Sequence, residues 1–352
     1  MTVNKLVQVS DRADHELQGH TGFVPTPTVR LDRLFAGAAG PQVFAKLDNL
    51  QVSGSTKERT AQSLLDAAFA SGRLRVGGTV VESTSGNLGM ALARQCALRD
   101  VQFIAVVDER ANVAACTVMR AYGAHVELVP TPGDGNRLWA RVERVQELIA
   151  KIPGALTTNQ YGNETNPHAH AASTFPEICA ELGGAPDRLF VATSTTGTVR
   201  GCVEAAQGMG VSTQVVAVDA EGSALFGGIP GERLLPGLGA GFVTELSRQA
   251  HPHEVVRIAE RDMVRGCRVL ARREGILAGA STGALVAAVG RALVAHPQSG
   301  SERWVFLVHD GGVPYLPTVY DDKWVHDSYG LDVSRDESLS AANPFVTLVD
   351  AA

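Results

Sequence analysis

Cysteine is scarce in this sequence, and the few cysteines are scattered. The chain of 352 residues contains five, an odd number without a C-x-x-C pair: Cys96, Cys116, Cys179, Cys202 and Cys267. This pattern predicts neither a disulfide framework nor a zinc site, and it suits a reducing cytoplasm. His168 and His170 are spaced i, i+2 without further ligands nearby. We therefore expect hydrogen-bonded or solvated roles for these histidines and predict no metal site.

Long apolar runs are also absent. No stretch approaches the roughly 20 apolar residues that a membrane helix needs, and residues 1–20 lack the apolar core of a signal peptide. A net charge of −6 and a pI near 5.9 argue against nucleic acid or an anionic membrane as the main partner. We expect a soluble cytoplasmic protein that binds small molecules, and any phosphate-bearing ligand must be held by local contacts.

Two nucleotide-binding signatures are missing as well. No G-x-G-x-x-G follows an early strand, and no G-x-x-x-x-G-K-[ST] occurs anywhere in the chain. A dehydrogenase or another nucleotide-binding protein is therefore disfavoured. The chain also contains no internal repeat and no low-complexity tract.

Short apolar runs alternate with helical stretches along most of the chain. Helices are predicted around residues 263–273 and 283–294, among others. The strand-like runs cover residues 43–47, 77–82, 103–107, 125–129, 188–192, 214–218 and 304–308. This alternation predicts an α/β fold whose mostly parallel sheets carry helices on both faces. Ligands bind such sheets beyond the carboxyl ends of the strands, where four loops fall: 53–57, 83–89, 193–198 and 279–284.

The first of these loops presents Lys57 after the small residues SGST at 53–56. A lysine amine can form a Schiff base with a carbonyl cofactor, which suggests amino-acid chemistry on pyridoxal phosphate. The alternative is a solvated surface lysine, the default for this residue type. Lys46, inside a predicted strand, is the rival candidate, but its sequence neighbours do not resemble a site.

The other three loops carry hydroxyl groups and precede helices. Loop 83–89 offers hydroxyls, an amide and backbone N–H groups at a helix start, where a carboxylate or phosphate would sit well. Loop 193–198 suits a phosphate for the same reason. In loop 279–284, Ser281 has the hydroxyl to donate to a pyridine nitrogen. Each of the last two loops, taken alone, is also compatible with an ordinary Ser/Thr helix cap.

The order of these segments resembles the fold-type II pyridoxal-phosphate enzymes, the family of cysteine synthase and cystathionine β-synthase. The resemblance spans residues 22–324 and includes TPxxxL at 26–31 and QYxNxxNPxxH at 160–170. It implies two lobes, each an open, mostly parallel sheet with helices on both faces, as in the tryptophan synthase β chain. It also implies pyridoxal 5′-phosphate as cofactor, amino-acid substrates and a homodimer.

The resemblance assigns roles to individual residues. Lys57 matches the Schiff-base lysine, Asn87 the partner of the cofactor's 3′ oxygen, and Ser281 the serine facing the pyridine nitrogen. The residues matching the phosphate-binding loop are Ser194, Thr195, Thr196, Gly197 and Thr198. Those matching the positions that hold the substrate carboxylate are Thr84, Ser85, Gly86 and Gln160.

Some positions depart from the usual family pattern. The family carries GTGGT where this chain has STTGT at 194–198, and phenylalanine where Tyr161 stands. It also carries Asn-Pro where this chain has Gln-Val at 51–52. The added hydroxyls of Ser194 and Tyr161 suit a polar second substrate better than sulfide, so both residues are candidates for substrate binding.

One branch of the family matches more closely. ESTSGNLG at 82–89, VDAxGS at 218–223, LPGLG at 235–239 and RVxxVQEL at 141–148 resemble enzymes that join O-phospho-L-serine to L-glutamate. Their product, N-(2-amino-2-carboxyethyl)-L-glutamate, leads to 2,3-diaminopropionate in siderophore and peptide-antibiotic pathways. The resemblance implies a transferase that performs β-replacement. Arg141 would pair with a substrate carboxylate or the leaving phosphate, a surface salt bridge being the alternative. HDGGVPY at 309–315 lacks the arginine usual before that tyrosine.

Alternatives for the reaction stay open at this point. Sulfide in place of glutamate would make the chain a cysteine synthase using O-acetylserine or O-phosphoserine. Without any acceptor the chain would be a lyase that eliminates to pyruvate and ammonia, and a non-catalytic binding protein is the remaining class. The proposed domains are an N-terminal arm (1–20), a large cofactor-binding domain (21–49 plus 161–325), a small mobile domain (50–160) and a C-terminal tail (326–352).

Overall fold

The computed structural model describes residues 22–35, 40–131, 137–296, 300–333 and 336, with the side chains of 137 and 138 left out. The proposed N-terminal arm and residues 337–352 of the proposed tail lie outside the described residues. Helix formation continues across the proposed boundary at 325, since a helix covers Asp322–Tyr329. Leu331 and Val333 beyond it are buried in the main core. The packed part of the chain therefore extends at least to Val333.

Strands and helices alternate through the described residues. The strands are β1 (Thr28–Arg30), β2 (Gln42–Lys46), β3 (Thr79–Ser83), β4 (Gln102–Val107), β5 (His125–Leu128), β6 (Arg188–Ala192), β7 (Gln214–Ala220), β8 (Glu254–Ile258) and β9 (Arg303–Leu307). The helices are α1 (Lys57–Ala70), α2 (Asn87–Ala97), α3 (Val113–Ala121), α4 (Arg137–Lys151), α5 (Thr165–Ala172), α6 (Thr174–Leu182), α7 (Gly197–Gly208), α8 (Glu260–Glu274), α9 (Ala280–Ala295) and α10 (Asp322–Tyr329).

Two sheets organise these elements. The larger has six strands in the order β1-β2-β9-β6-β7-β8, and the smaller has three in the order β3-β4-β5. All neighbouring strands are parallel except β1 and β2. Separate apolar clusters cover the two faces of the larger sheet. The expectation of an α/β fold with mostly parallel sheets and helices on both faces is confirmed.

The two strands that the apolar pattern did not predict lie at the edges of the larger sheet. Strand β1 has three residues, and none of them is fully buried. Strand β8 is buried only at its last residue. Edge strands pair and pack on fewer sides, so they need no continuous apolar run. The central strand β9, with four of its five residues buried, shows the run that the sequence pattern detects.

The smaller sheet and helices α1 to α4 lie between residues 57 and 151. Helices α1, α2 and α3 share an apolar core with strands of this sheet, and α4 covers its other face. These elements fall inside the segment 50–160 that the sequence assigns to a small mobile domain. Its mobility stays a prediction.

Helix α1 begins with three consecutive charged residues, and the side chain of Arg59 is completely buried. Its guanidinium donates two hydrogen bonds to Asp48, at 2.9 and 3.0 Å, and two to Glu177, at 2.6 and 2.7 Å. Lys46 lies in the same network, with its Nζ 2.9 Å from Glu177. These fork-shaped contacts attach the start of α1 to the larger sheet.

Glu58 attaches the same turn in the other direction. Its buried carboxylate accepts a hydrogen bond from Arg94 at 2.5 Å and another from Gln95, both on α2. It also accepts the backbone N–H of Ser53 at 3.2 Å. The residue before Arg59 is therefore held by the helix that starts at Asn87.

None of the helices in the described part of the chain is long and apolar enough to cross a membrane.

The Arg59 network yields a stability prediction. Replacing Arg59 by methionine leaves the buried Asp48 carboxylate uncompensated, so we expect the free energy of unfolding to fall by about 3–5 kcal/mol. Denaturant unfolding measures this change. Lys323→Met breaks the exposed pair with Asp327 and should cost less than about 1 kcal/mol. Equal losses in both variants would contradict the structural role of the Arg59 network.

Candidate active site

Lys57 is the first residue of α1, and the backbone before it pairs with the segment after β9. The N–H of Thr56 donates to the carbonyl of His309 at 2.8 Å, and Ser55 forms an antiparallel bridge with Asp310. On its far side, Asp310 accepts a backbone hydrogen bond from Gly279 at 3.1 Å, just before α9. The His309–Asp310 segment therefore lies between the Lys57 loop and the Ser281 loop.

The charge on Lys57 is perturbed by its surroundings. Burial lowers the pKa of Lys57 to about 8, and the nearby negative charge of Asp310 partly opposes that change. A lysine with a pKa of about 8 is roughly one tenth neutral at pH 7 and one half neutral at pH 8, and the neutral amine is the form that a nucleophile or a general base requires. Lys46, the rival lysine, is instead fixed by its ion pair with Glu177 and by its 2.5 Å hydrogen bond to the carbonyl of Thr26.

Asp310 connects the two lobes at this point. Its Oδ2 accepts a hydrogen bond from Nδ2 of Asn87 at 2.8 Å and another from the hydroxyl of Tyr315 at 2.8 Å. Burial raises the pKa of Asp310, while these two donors and the charge of Lys57 lower it. Asn87 is the first residue of α2, so the amide that the sequence singled out is oriented by a carboxylate from the other lobe.

His309 is buried beside Lys57 and is held in its neutral form. Its Nε2 accepts the backbone N–H of Ala192 at 3.1 Å, which leaves the ring proton on Nδ1. Burial and the neighbouring positive charge of Lys57 lower the pKa of His309 to about 3. His170 is a second buried neutral histidine, hydrogen-bonded to threonine hydroxyls on both ring nitrogens.

The loop at 194–198 leads into α7, and one of its residues is strained. Thr196 has a φ of +70°, the left-handed region that glycine adopts easily and β-branched residues avoid. Its hydroxyl donates to the carbonyl of Thr195 at 2.6 Å. The next position is glycine because a Cβ on Gly197 would overlap the side chain of Asn166. Asn166 in turn donates to the hydroxyl of Thr195 at 3.1 Å.

Several of the predicted residues meet around one polar cavity. Those lining it are Lys57, Asn87, Ser194, Thr195, Thr196, Thr198 and Ser281. Gly197 forms the start of α7 next to them. The same wall contains four residues that the sequence argument did not single out as site residues: Thr56, Ala192, Gly237 and His309. A lysine amine, a hydroxyl-rich loop and the N-terminus of α7 thus face a common space.

The predicted carboxylate seat lies beside this cavity, between β3 and α2. Thr84 is buried there, with Ser85 and Gly86 partly exposed. Gln160 is buried, and its backbone carbonyl accepts a hydrogen bond from Nδ2 of Asn166 at 2.8 Å. Since Asn166 also binds Thr195, one amide side chain connects Gln160 with the hydroxyl-rich loop.

A second, wider cavity of about 530 Å³ lies at the carboxyl end of β3. It is lined by Glu82, Ser83, Trp139, Val142, Val145, Gln146, Thr157, Asn159, Tyr161 and Phe242. The rings of Tyr161 and Phe242 meet edge to face, with centroids 5.2 Å apart. Arg141 on α4 is largely buried, and its Nε lies 3.4 Å from Asp108 Oδ2. The ion pair predicted as the alternative for Arg141 is therefore present, but it is not an exposed one.

The residues that the sequence argument missed share a cause. His309 and Asp310 lie in HDGGVPY, a segment that drew attention only because it lacks an arginine. Their roles follow from the bridge between Ser55 and Asp310, which joins two distant parts of the chain. The one available signal was polar residues directly after the apolar run of β9, at the carboxyl end of a central strand.

Comparison with known proteins agrees with this geometry. The family model described as pyridoxal-phosphate dependent enzyme matches residues 20–310. The N-(2-amino-2-carboxyethyl)-L-glutamate synthase of Ralstonia nicotianae is 41% identical over 301 residues, covering 85% of this chain and 88% of that protein. The protein of the same name from Cupriavidus metallidurans is 41% identical over 302 residues, with the same coverage of both chains.

Solved structures show the same architecture. The O-acetylserine dependent cystathionine beta-synthase from Helicobacter pylori superimposes with a TM-score of 0.77 at 27% identity, over 84% of this chain and 95% of that one. An O-ureido-L-serine synthase gives a TM-score of 0.75 at 32% identity, over 90% and 96% of the two chains. This chain therefore belongs to the pyridoxal-phosphate-dependent enzyme family and has the fold-type II architecture that its sequence motifs predicted.

Proposed function

We propose that this enzyme joins O-phospho-L-serine to L-glutamate and releases phosphate, giving N-(2-amino-2-carboxyethyl)-L-glutamate. Relatives with 41% identity over 85% of the chain carry the name of this activity. The structural observation that carries the proposal is a buried lysine facing a hydroxyl-rich helix start. A separate wide cavity is lined by Ser83 and Tyr161, the chain neighbours of Thr84 and Gln160. The residues that line the first space suit a cofactor phosphate, and the second space has room for an amino acid as the acceptor.

The residues around the polar cavity fit pyridoxal phosphate. The hydroxyls of Ser194 to Thr198 and the N-terminus of α7 would hold its phosphate. Lys57 would attach its carbonyl carbon, Asn87 would bind its 3′ oxygen, and Ser281 would face its ring nitrogen. The bound cofactor supplies an electron sink for the bonds around the α-carbon of an amino acid.

Lys57 would also carry protons in the reaction. With a pKa of about 8, its amine can accept the α-proton of the donor substrate and later return it without a large energetic penalty near neutral pH. Asp310 stabilises the charged form of Lys57 and restrains Asn87 through its hydrogen bond. The neutral His309 adds no competing positive charge to this space.

The donor amino acid would bind between the two lobes. Thr84, Ser85, Gly86 and Gln160 would hold its carboxylate at the start of α2, where the helix dipole favours a negative charge. Movement of the segment 50–160 over the bound donor would exclude water, which otherwise diverts the reaction to pyruvate. Ser194 and Tyr161 would contribute hydroxyls toward the acceptor, and Arg141 would pair with a carboxylate or the leaving phosphate.

The assembly and the pathway belong to the same proposal. Family resemblance supports a cytoplasmic homodimer with a large domain formed by residues 21–49 and 161–325. It also supports a product used to make 2,3-diaminopropionate for a siderophore or a peptide antibiotic. An enzyme class that cleaves the product oxidatively would then have to act next.

The identity of the acceptor is the direct test of the function. Holoenzyme mixed with O-phospho-L-serine and L-glutamate should release one phosphate for each molecule of N-(2-amino-2-carboxyethyl)-L-glutamate, as followed by a phosphate assay and mass spectrometry. Sulfide in place of glutamate should give much less product. Cysteine formed only with sulfide would identify a cysteine synthase, and pyruvate formed equally with or without acceptor would identify a lyase.

Replacing Lys57 by alanine should reduce turnover by at least about 10³-fold, because both the attachment of the cofactor and the proton transfer depend on its amine. Steady-state kinetics with added cofactor measures the loss. Lys323→Ala removes an exposed lysine and serves as the matched control, with activity within about twofold of the unmodified enzyme. Full activity of the Lys57→Ala enzyme would refute the assigned role.

A further inference from the structure

One arginine, Arg233, contacts a segment of the chain that contributes a residue to each of the two cavities. Gly237 lines the polar cavity and Phe242 lines the wide one, so the segment between them borders both. Arg233 contacts this segment twice. Its Nη1 donates to the carbonyl of Leu238 at 2.7 Å, and its Nη2 lies 4.0 Å from where a Cβ on Gly241 would stand. The guanidinium therefore contacts the chain neighbours of Gly237 and Phe242, although Arg233 is not itself among the residues that line either cavity.

The hydrogen-bonding capacity of Arg233 is not used up by the protein. Its Nε is buried and has no acceptor among the described residues. The only hydrogen bond it makes to the described part of the chain is the one to Leu238. A buried donor without an acceptor costs free energy unless a ligand completes it. A guanidinium with spare donors is well suited to a carboxylate, which it can bind through two parallel hydrogen bonds.

Two acidic groups whose charges act on Arg233, Asp219 and Glu260, accept hydrogen bonds from other donors, although Oδ2 of Asp219 has no partner among the described residues. Asp219 accepts hydrogen bonds from the Thr193 hydroxyl at 3.1 Å and from the N–H of Ala220 at 2.9 Å. Glu260 accepts the N–H of Leu235 at 2.7 Å and the Tyr329 hydroxyl at 3.0 Å. Both carboxylates raise the pKa of Arg233, which burial lowers. They lie close enough to keep Arg233 charged, and neither forms an ion pair with it in the described structure.

A second cation, Arg141, also acts on Tyr161 in the wall of the wide cavity. Burial raises the pKa of Tyr161, whereas the positive charges of Arg141 and Arg233 lower it. The phenol at the cavity wall therefore lies within electrostatic reach of one arginine from each lobe. Glu82 also lines this cavity, but its Oε2 accepts hydrogen bonds from the backbone N–H groups of Thr158 and Asn159, both at 3.1 Å. The carboxylate of Glu82 is thus part of the wall.

We propose that Arg233 binds the side-chain carboxylate of the acceptor amino acid and makes the wide cavity the acceptor site. This inference rests on the proposed function, in which the acceptor is L-glutamate. The donor carboxylate would bind at Thr84 to Gly86, so Arg233 is available for the second substrate. Sulfide has no carboxylate and would make no use of this residue.

The test compares Arg233→Gln with Arg248→Gln in the holoenzyme. Arg248 is exposed on the short helical turn that follows Phe242, and its replacement removes the same charge. In Arg233→Gln we expect the KM for L-glutamate to rise about 10- to 100-fold, because the variant loses a charge-assisted hydrogen bond to the acceptor. The KM for O-phospho-L-serine should stay within about twofold, and Arg248→Gln should leave both KM values unchanged.

Selectivity provides the second measurement. The unmodified enzyme should prefer L-glutamate to L-glutamine, and Arg233→Gln should lose that preference because a carboxylate no longer meets a cation. Arg233→Lys keeps the charge without the planar fork and should retain the preference with a smaller rise in KM. If Arg233→Gln does not fold, Arg233→Lys provides the comparison with the unmodified enzyme.

Three outcomes would overturn the inference. An unchanged KM for glutamate in Arg233→Gln or an unchanged preference over glutamine would show that Arg233 does not bind the acceptor. A rise confined to the KM for O-phospho-L-serine would assign Arg233 to the leaving phosphate. Each of these results leaves the proposed function intact if the unmodified enzyme consumes glutamate. Failure of the unmodified enzyme to consume glutamate would overturn the function and this inference together.

Discussion

Three consecutive charged side chains at the start of one helix, Lys57, Glu58 and Arg59, determine how the active site is built. Arg59 is bound by Asp48 and Glu177 of the larger lobe, and Glu58 is bound by Arg94 and Gln95 of α2. Each neighbour of Lys57 is therefore neutralised by a different lobe. Lys57 is left to face the polar cavity, where burial lowers its pKa and, among the described residues, Asp310 supports its charge. Unpaired charges are costly to bury, and the lowered pKa of Lys57 reflects that cost.

Polar contacts around Lys57 also connect the two lobes. Asp310 follows the central strand β9 and accepts a hydrogen bond from Asn87 at the start of α2, while the backbone beside it pairs with Ser55. The segment after β9 thus binds the Lys57 loop and the Asn87 helix together. Asn166 makes a second connection, because its side-chain amide donates hydrogen bonds to the backbone carbonyl of Gln160 and to the hydroxyl of Thr195 in the hydroxyl-rich loop. Tight contact also explains why Gly197 stays glycine, although Thr196 before it adopts a strained φ of +70°. Strain of this kind persists where surrounding contacts fix the backbone.

Sequence patterns were sufficient for the parts that depend on local composition. Buried parallel strands produce continuous apolar runs, so β6, β7 and β9 were predicted, together with the hydroxyl-rich loop after β6. Of the predicted site residues, Lys57, Asn87, Ser194 and Ser281 do line one cavity. The edge strands β1 and β8 have no such run and were missed. His309 and Asp310 were not predicted as site residues because their role arises from pairing with residues about 250 positions earlier in the chain. Arg233 was missed for a similar reason, since an arginine in a loop gives no sign of what its guanidinium will meet.

The central claim is that burial between two ion-paired neighbours lowers the pKa of Lys57 to about 8, so that part of its amine is neutral near physiological pH. The rate at which the apoenzyme covalently captures pyridoxal phosphate, measured against pH by borohydride trapping and mass spectrometry, tests it directly. The neutral amine is the reacting form, so the rate should rise with pH and level off with a midpoint at about 8. Asp310→Asn removes the charge that raises the pKa of Lys57 and should move the midpoint lower. A midpoint near the ordinary lysine value of 10.5, unchanged in Asp310→Asn, would contradict the account.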